Sequence, residues 1–274
     1  MQPLNYNIFN IIVISGVLYG IIFSLIITSQ KKYVTNNTIY LALVVLFLSL
    51  SNLQYWLLDT GLIYKYPIIK YIYVPWHWLI LPMFYLYVQK FIGKDETSKK
   101  FKTFLLGPFF LVLVIHIAQV IYKLVWDNSY EIPSHFKRGI FVYLEFLSVV
   151  FNVIIMYSTY RIIRIHEKET NYEIQRVKSE TNWLKNLIYT GLMVCFCWLV
   201  AIIIVVVYNL NQSYVFYPMW IGISFIVYWI GHVGLTKSQL LQQRIDLRQK
   251  RMEAIKQNEE TPTVNSDTFD KIEI

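Results

Sequence analysis

Charged side chains are scarce in this sequence, 15% of 274 residues, while hydrophobic ones make up 56%. A soluble fold of this length needs about a quarter of its residues charged to clothe its surface. A water-soluble globular domain is therefore excluded, and a mean hydropathy of +0.43 points to the bilayer as solvent. Cysteine is almost missing: the only two, Cys195 and Cys197, stand two apart inside an apolar run. On a helix that spacing puts them on different sides, outside any metal or redox pattern. Both read as inert buried thiols.

The opening MQPLNYN has no positive residues, so the first apolar run reads as a retained helix and not as a cleaved signal peptide. Catalytic signatures are missing as well. His166 and Glu167 begin an HExxH pattern, but Thr170 stands where the second histidine belongs, and there is no GxSxG, glycine-rich phosphate loop or P-loop. An enzyme is not expected, and no cofactor is implied. The net charge of +8 would suggest nucleic acid in a soluble chain, but in a membrane chain lysine and arginine report topology first.

What is abundant is apolar length. Seven stretches reach bilayer-spanning size: Tyr6 to Thr28, Thr38 to Leu58, Tyr71 to Ile92, Thr103 to Val125, Ile140 to Ile163, Lys185 to Val207 and Phe216 to Thr236. The expected fold is an all-α membrane protein of seven transmembrane helices, followed by a cytoplasmic helix. With the N-terminus outside, 20 of the 25 basic residues fall on the inner side, which places the C-terminus in the cytoplasm by the positive-inside rule. Trp56, Trp76, Trp78, Trp126 and Trp220 then lie near the outer interface, as an aromatic belt would. In the first span Gly16, Gly20 and Ser24 form a small-residue stripe, read as ordinary packing ahead of a dimer face; Gly231 and Gly234 read the same way. Pro82 is expected to bend the third span. The connection from Arg161 to Lys185, mixed in charge, reads as solvated helix continuing the fifth span.

Polar groups inside the membrane are costly and so mark function or interhelical contact. In the fourth span His116, Gln119 and Lys123 stand at i, i+3 and i+7, and in the fifth Glu145, Ser148 and Asn152 repeat the spacing, so each set lines one helix face. The two helices are consecutive, and their stripes can meet. At ~1.5 Å per residue Glu145 and His116 lie roughly 8 and 14 Å below the outer end, with His77 about 9 Å below. These residues form a candidate outward-facing ligand pocket, with Trp76 and Trp78 as aromatic walls. Two other readings stay open: Glu145 pairs with Lys123 or His116 as glue between helices, or His77, His116 and Glu145 hold a metal, although spacing across helices carries no metal signature. His232 reads as a snorkelling or packing residue near the inner interface.

Three regions follow: a seven-helix transmembrane domain over 1–236, a basic helix over 237–260, and a polar linker with the start of a further domain over 261–274. Leu241, Ile245, Met252 and Ile255 fall on the seam of a short heptad pattern, compatible with a homodimeric coiled coil. An amphipathic helix on the anionic inner leaflet is the equal alternative. In NSDTFDKIEI, Asp267 can cap a new helix whose Phe269 and Ile272 share a side.

GVLYGIIFSLIITSQKKYVTNNTIYLALVVLFLSL in the first two spans, LPMFYLYVQKFI in the third, NWLKNL opening the sixth and YWIGHVGLTKSQL closing the seventh carry a family likeness. The chain resembles bacterial membrane-bound regulators of the AraC type, which have a seven-helix N-terminal region and a cytoplasmic helix-turn-helix domain. In that family a segment like DTFDKIEI leads into the DNA-binding domain, so the resemblance implies that the sequence stops as that domain begins. It implies a sensory role in the cytoplasmic membrane, with the bilayer and a small-molecule ligand as partners and DNA reached only through a domain not included here. The input region of another signalling protein, such as a sensor kinase, or a small-solute transporter are the alternatives.

Overall fold

The computed structural model describes residues 6–29, 36–66, 69, 71–93, 98–130, 132, 140–169, 174–208, 213–234 and 236. Its main elements are seven helices: α1 (Ile8–Ser29), α2 (Asn36–Asp59), α3 (His77–Phe91), α4 (Lys99–Val125), α5 (Ile140–Glu169), α6 (Ile174–Tyr208) and α7 (Tyr217–Trp229). There is no strand among the described residues. Six of the seven are long and apolar enough to cross a membrane, α7 counted together with the turns that flank it. Their outward surfaces are apolar: Ile11, Leu18, Ile22 and Leu25 on α1 and Leu111, Val114 and Leu124 on α4 are all more than half exposed. A soluble monomer does not carry apolar faces of that extent. The chain is a multi-pass membrane protein.

Local chemistry sets the helix ends. The Asn7 side chain accepts from the backbone N–H of Asn10 at 2.9 Å and caps α1, and Ser98 does the same for Phe101 at the start of α4. Pro218 opens α7, where its missing N–H costs nothing. Helix α3 runs through Pro82 to Phe91. It starts six residues later than the sequence suggests, because Pro75 forces Val74 into an extended conformation and residues 72–75 have no regular structure. Fifteen residues make α3 about 22 Å long, short of the ~30 Å hydrocarbon core.

Helices α2, α3, α5, α6 and α7 pack each against the next to close a ring; α1 lies outside against α2 and α7, and α4 outside against α3. The small-residue stripe of α1 is spent inside this bundle. A side chain at Gly16 would press on Ser224 of α7, and one at Gly20 would strike Ser49 of α2 and Val227 of α7. The Ser24 hydroxyl donates to the Ala42 carbonyl at 3.0 Å. A polar seam continues between α2 and α7, where Asn52 donates to the Trp220 carbonyl and the Ser224 hydroxyl.

The two ends of the bundle are tied differently. At one, Tyr217 donates to Asp59 at 2.8 Å and accepts from Asn7 at 2.8 Å, joining α7, α2 and α1. At the other, Glu167 of α5 accepts from Thr181 and, at 2.8 Å, from Lys185 of α6. The stretch from Arg161 to Lys185 is solvated along Arg161, Arg164, Lys168 and Lys178, as its charge mixture suggests, but Glu167, Thr181 and Leu184 are buried. Trp78 and Trp220 are buried in the bundle, whereas Trp126 is 72% exposed. A π-helical turn, Ile230–Gly234, closes α7; Gly231 in it lies against Tyr19 and Gly234 against Leu41, and His232 is exposed.

The chain divides into a unit of Met1–Leu235 and another of Thr236–Ile274. Leu241, Ile245, Met252 and Ile255, with all of 237–260 and 261–274, lie outside the described residues.

Candidate ligand-binding site

Glu145 is carried by the inward face of α5 and is 5% exposed. A carboxylate so placed needs polar partners, because its transfer out of water costs several kcal/mol otherwise. His77, the first residue of α3, puts Nε2 4.0 Å from Glu145 Oε1, too long for a direct hydrogen bond but close for an electrostatic pairing. The Tyr73 hydroxyl, from the irregular stretch before α3, donates to the same carboxylate. Tyr55 of α2 stands within electrostatic reach. The irregular stretch is what brings Tyr73 there, and it is itself held by α2: the Gln54 amide, oriented to match, donates to the Val74 carbonyl and accepts from the Val74 N–H, both at 2.8 Å. Non-helical backbone at this depth needs such partners.

The polar stripe of α4 meets α5 only at its His116, whose ring centroid lies 6.2 Å from that of Phe141, since α4 packs outside the ring against α3. His116 is buried with Nε2 3.4 Å from the Tyr71 carbonyl, and its ring centroid is 5.1 Å from that of Tyr73. Gln119 has a buried Oε1 with no hydrogen-bond partner among the described residues. Lys123 turns to its own loop, donating to the Tyr130 carbonyl at 2.6 Å, and is not paired with Glu145. In that loop Ser129 donates to Asp127 through its hydroxyl and backbone N–H, which holds the Asp127 carboxyl below its usual range. No three His, Cys, Asp or Glu side chains among the described residues group closely enough to hold a metal. His77, His116 and Glu145 thus do not converge on one point.

Along α5, Ser148 donates to the Glu145 carbonyl at 2.7 Å and is occupied by its own helix. Asn152, 4% exposed, faces a central cavity bordered by the five ring helices. The cavity holds about 90 Å³, several times the ~10–15 Å³ that one water needs. Its polar lining is Ser51, Tyr55, His77 and Asn152, and the Asn152 Oδ1 is buried with no hydrogen-bond partner among the described residues. Glu145 lines a second, smaller space of about 10 Å³, and Tyr55 and Trp198 border both. Trp198 also meets His77 edge-on, with ring centroids 5.4 Å apart.

The structure therefore brings His77 and Asn152 to one cavity and Glu145 to its neighbour. Trp76 and Trp78 are not in the lining: Trp76 stacks on Phe47 and Trp78 packs on Phe151. The aromatic wall is Tyr55, Phe84 and Trp198, which carry no distinguishing signal in the sequence. Tyr73 was marked only indirectly, by the Val74-Pro75 break that frees it from the helix. Neither a family model, nor a curated protein, nor a solved structure matches the chain.

Proposed function

We propose that the chain is the membrane-embedded sensory region of a transcriptional regulator of the AraC type, as its resemblance implies. In this reading it crosses the bacterial cytoplasmic membrane seven times, with the N-terminus outside and the C-terminus in the cytoplasm. Residues 72–75, at about 3.3 Å each, add roughly 13 Å to the 22 Å of α3, enough for that segment to make the third crossing. The distribution of lysine and arginine supports the orientation.

The observation that carries the reading is the position of α7. It lines the central cavity from Met219 to Ile230 and then changes to a π-helical turn at Ile230 itself, before the residues that lead to the tail. Turns of this kind recur at functional sites because they store an alternative hydrogen-bond register. Occupancy of the cavity then biases the packing of α7, and the bias passes along the chain to the output. A transporter fits less well, because the lining toward the Glu167 end is apolar, with Val44, Leu48, Met156 and Leu187 offering a polar solute no path.

The test joins a DNA-binding domain that works only as a dimer after residue 274. Ile226→Trp, which fills the cavity from α7, is expected to shift reporter output severalfold at equal membrane abundance. Output equal to the parent's would count against the sensory reading.

A further inference from the structure

The lining residues of the central cavity run from Val44 to Tyr55 on α2, from Leu187 to Trp198 on α6 and from Met219 on α7 to Ile230 at the start of the π-helical turn. Each run covers twelve residues, eleven helical steps or about 16 Å. A volume of about 90 Å³ spread over that length is a narrow tube and not a globe. Thirteen of its twenty lining residues are Val, Leu, Ile, Met or Phe, which suits an unbranched hydrocarbon chain, and its few polar groups are too sparse to match a sugar or a peptide.

Two features narrow the class. The Asn152 Oδ1 is an acceptor without a donor among the described residues, in a 4%-exposed side chain on the tube wall, and an unmatched acceptor so buried is unfavourable. The histidine on the wall, His77, already faces Glu145, so a charged head group would enter low dielectric with no strong counter-charge to meet it. We infer that the central cavity binds a neutral, single-chain amphiphile whose hydroxyl or amide N–H donates to Asn152. This deepens the sensory reading and rests on it, by naming the ligand class of the same site.

The probe is a diazirine-bearing octan-1-ol, applied to the full chain in phosphatidylcholine nanodiscs, with labelled residues mapped by peptide mass spectrometry. Saturable labelling is expected at Met156 and Cys195, both on the tube wall. Unlabelled octan-1-ol should compete about fivefold better than octane, the worth of one hydrogen bond. Asn152→Leu should erase that preference while keeping the labelling. Gly191→Leu should abolish labelling at these positions, since its side chain would enter the tube against the mobile end of Met156.

Labelling confined to lipid-facing residues such as Leu111 and Val114, or equal competition by octane in the parent, overturns the inference. Labelling is read on the purified chain and needs no output. An occupied tube with Ile226→Trp silent in the reporter therefore defeats the sensory role alone. An unlabelled tube with an altered reporter defeats the ligand class alone.

Discussion

The side-chain amide of Gln54 clasps the backbone of Val74, bonding both its carbonyl and its N–H at 2.8 Å. These bonds stand in for the helical ones that Pro75 prevents, and they fix the stretch that presents Tyr73 to Glu145. Gln54→Leu keeps the volume and takes this partner from the Val74 N–H, whereas the Val74 carbonyl still accepts from the Trp76 N–H at 2.8 Å. It should cost about 1 kcal/mol, the net worth of one hydrogen bond at a half-buried site. Hydrogen exchange should accelerate at Val74 and not in the middle of α5; uniform exchange across both would show that the clasp is not needed.

The buried end of α5 makes a sharper demand. Glu167 is 3% exposed and accepts from Lys185, whose side chain is itself 13% exposed. Breaking a buried pair outright typically costs about 3–5 kcal/mol, but here Arg164, with Nη1 3.7 Å from Glu167 Oε2, still offsets part of the carboxylate's charge. Lys185→Met should therefore lower the thermal midpoint in detergent, by less than that full penalty. The double change with Glu167→Gln should recover much of the loss, since Thr181 can still donate to the amide oxygen. Additive losses in the double variant would show the two residues to be independent.

Much of the frame could be read from the chain because bilayer burial leaves long apolar runs, and six helices stand where those runs lie. The third helix was harder: its apolar run continues back to Tyr71, and only the proline at 75 reveals that the first part cannot coil. For the site, periodicity put Glu145, Ser148 and Asn152 on one face correctly, since a helix fixes relative direction. It could not say which neighbour that face meets. Adjacency in sequence favoured α4, whereas the ring brings α3 to α5, so that His77 and not His116 confronts Glu145. Tyr55 and Trp198 come from helices far apart in sequence, and only the closed ring makes them a wall.

Two glycines on helices should respond oppositely to alanine. At Gly20 a methyl group would run into Ser49 and Val227, so α1 would have to move off the ring, at a cost of about 1–3 kcal/mol. At Gly107 the same group would meet nothing within 4 Å, and helix propensity alone should add up to about 1 kcal/mol of stability. Thermal unfolding in one detergent compares them directly. Because Gly20 is turned into the bundle, Gly20→Ala should leave the oligomeric state unchanged on size-exclusion chromatography with light scattering. Loss of a dimer without loss of stability would instead put the stripe on an external interface.

The number of crossings can be decided by the sidedness of four positions. With Cys195 and Cys197 replaced by serine, single cysteines at Lys65, Ser98, Asn128 and Lys178 are offered a membrane-impermeant maleimide in intact cells. All four are at helix ends or in connections and outside the apolar cores of the spans. Seven crossings with an outer N-terminus require Lys65→Cys and Asn128→Cys to react from outside and Ser98→Cys and Lys178→Cys to react only after permeabilisation. The pair that matters most brackets α3, whose helix is too short to cross unaided. If Lys65→Cys and Ser98→Cys react from the same side, the irregular stretch and α3 form a re-entrant element and the chain has six crossings. The tube would then keep its ring of helices, but α4 to α7 would be inverted relative to α1 and α2. That inversion is hard to reconcile with α2 and α7 sharing the Asn52 seam and the Asp59 to Tyr217 bond, so opposite sidedness is the expected result.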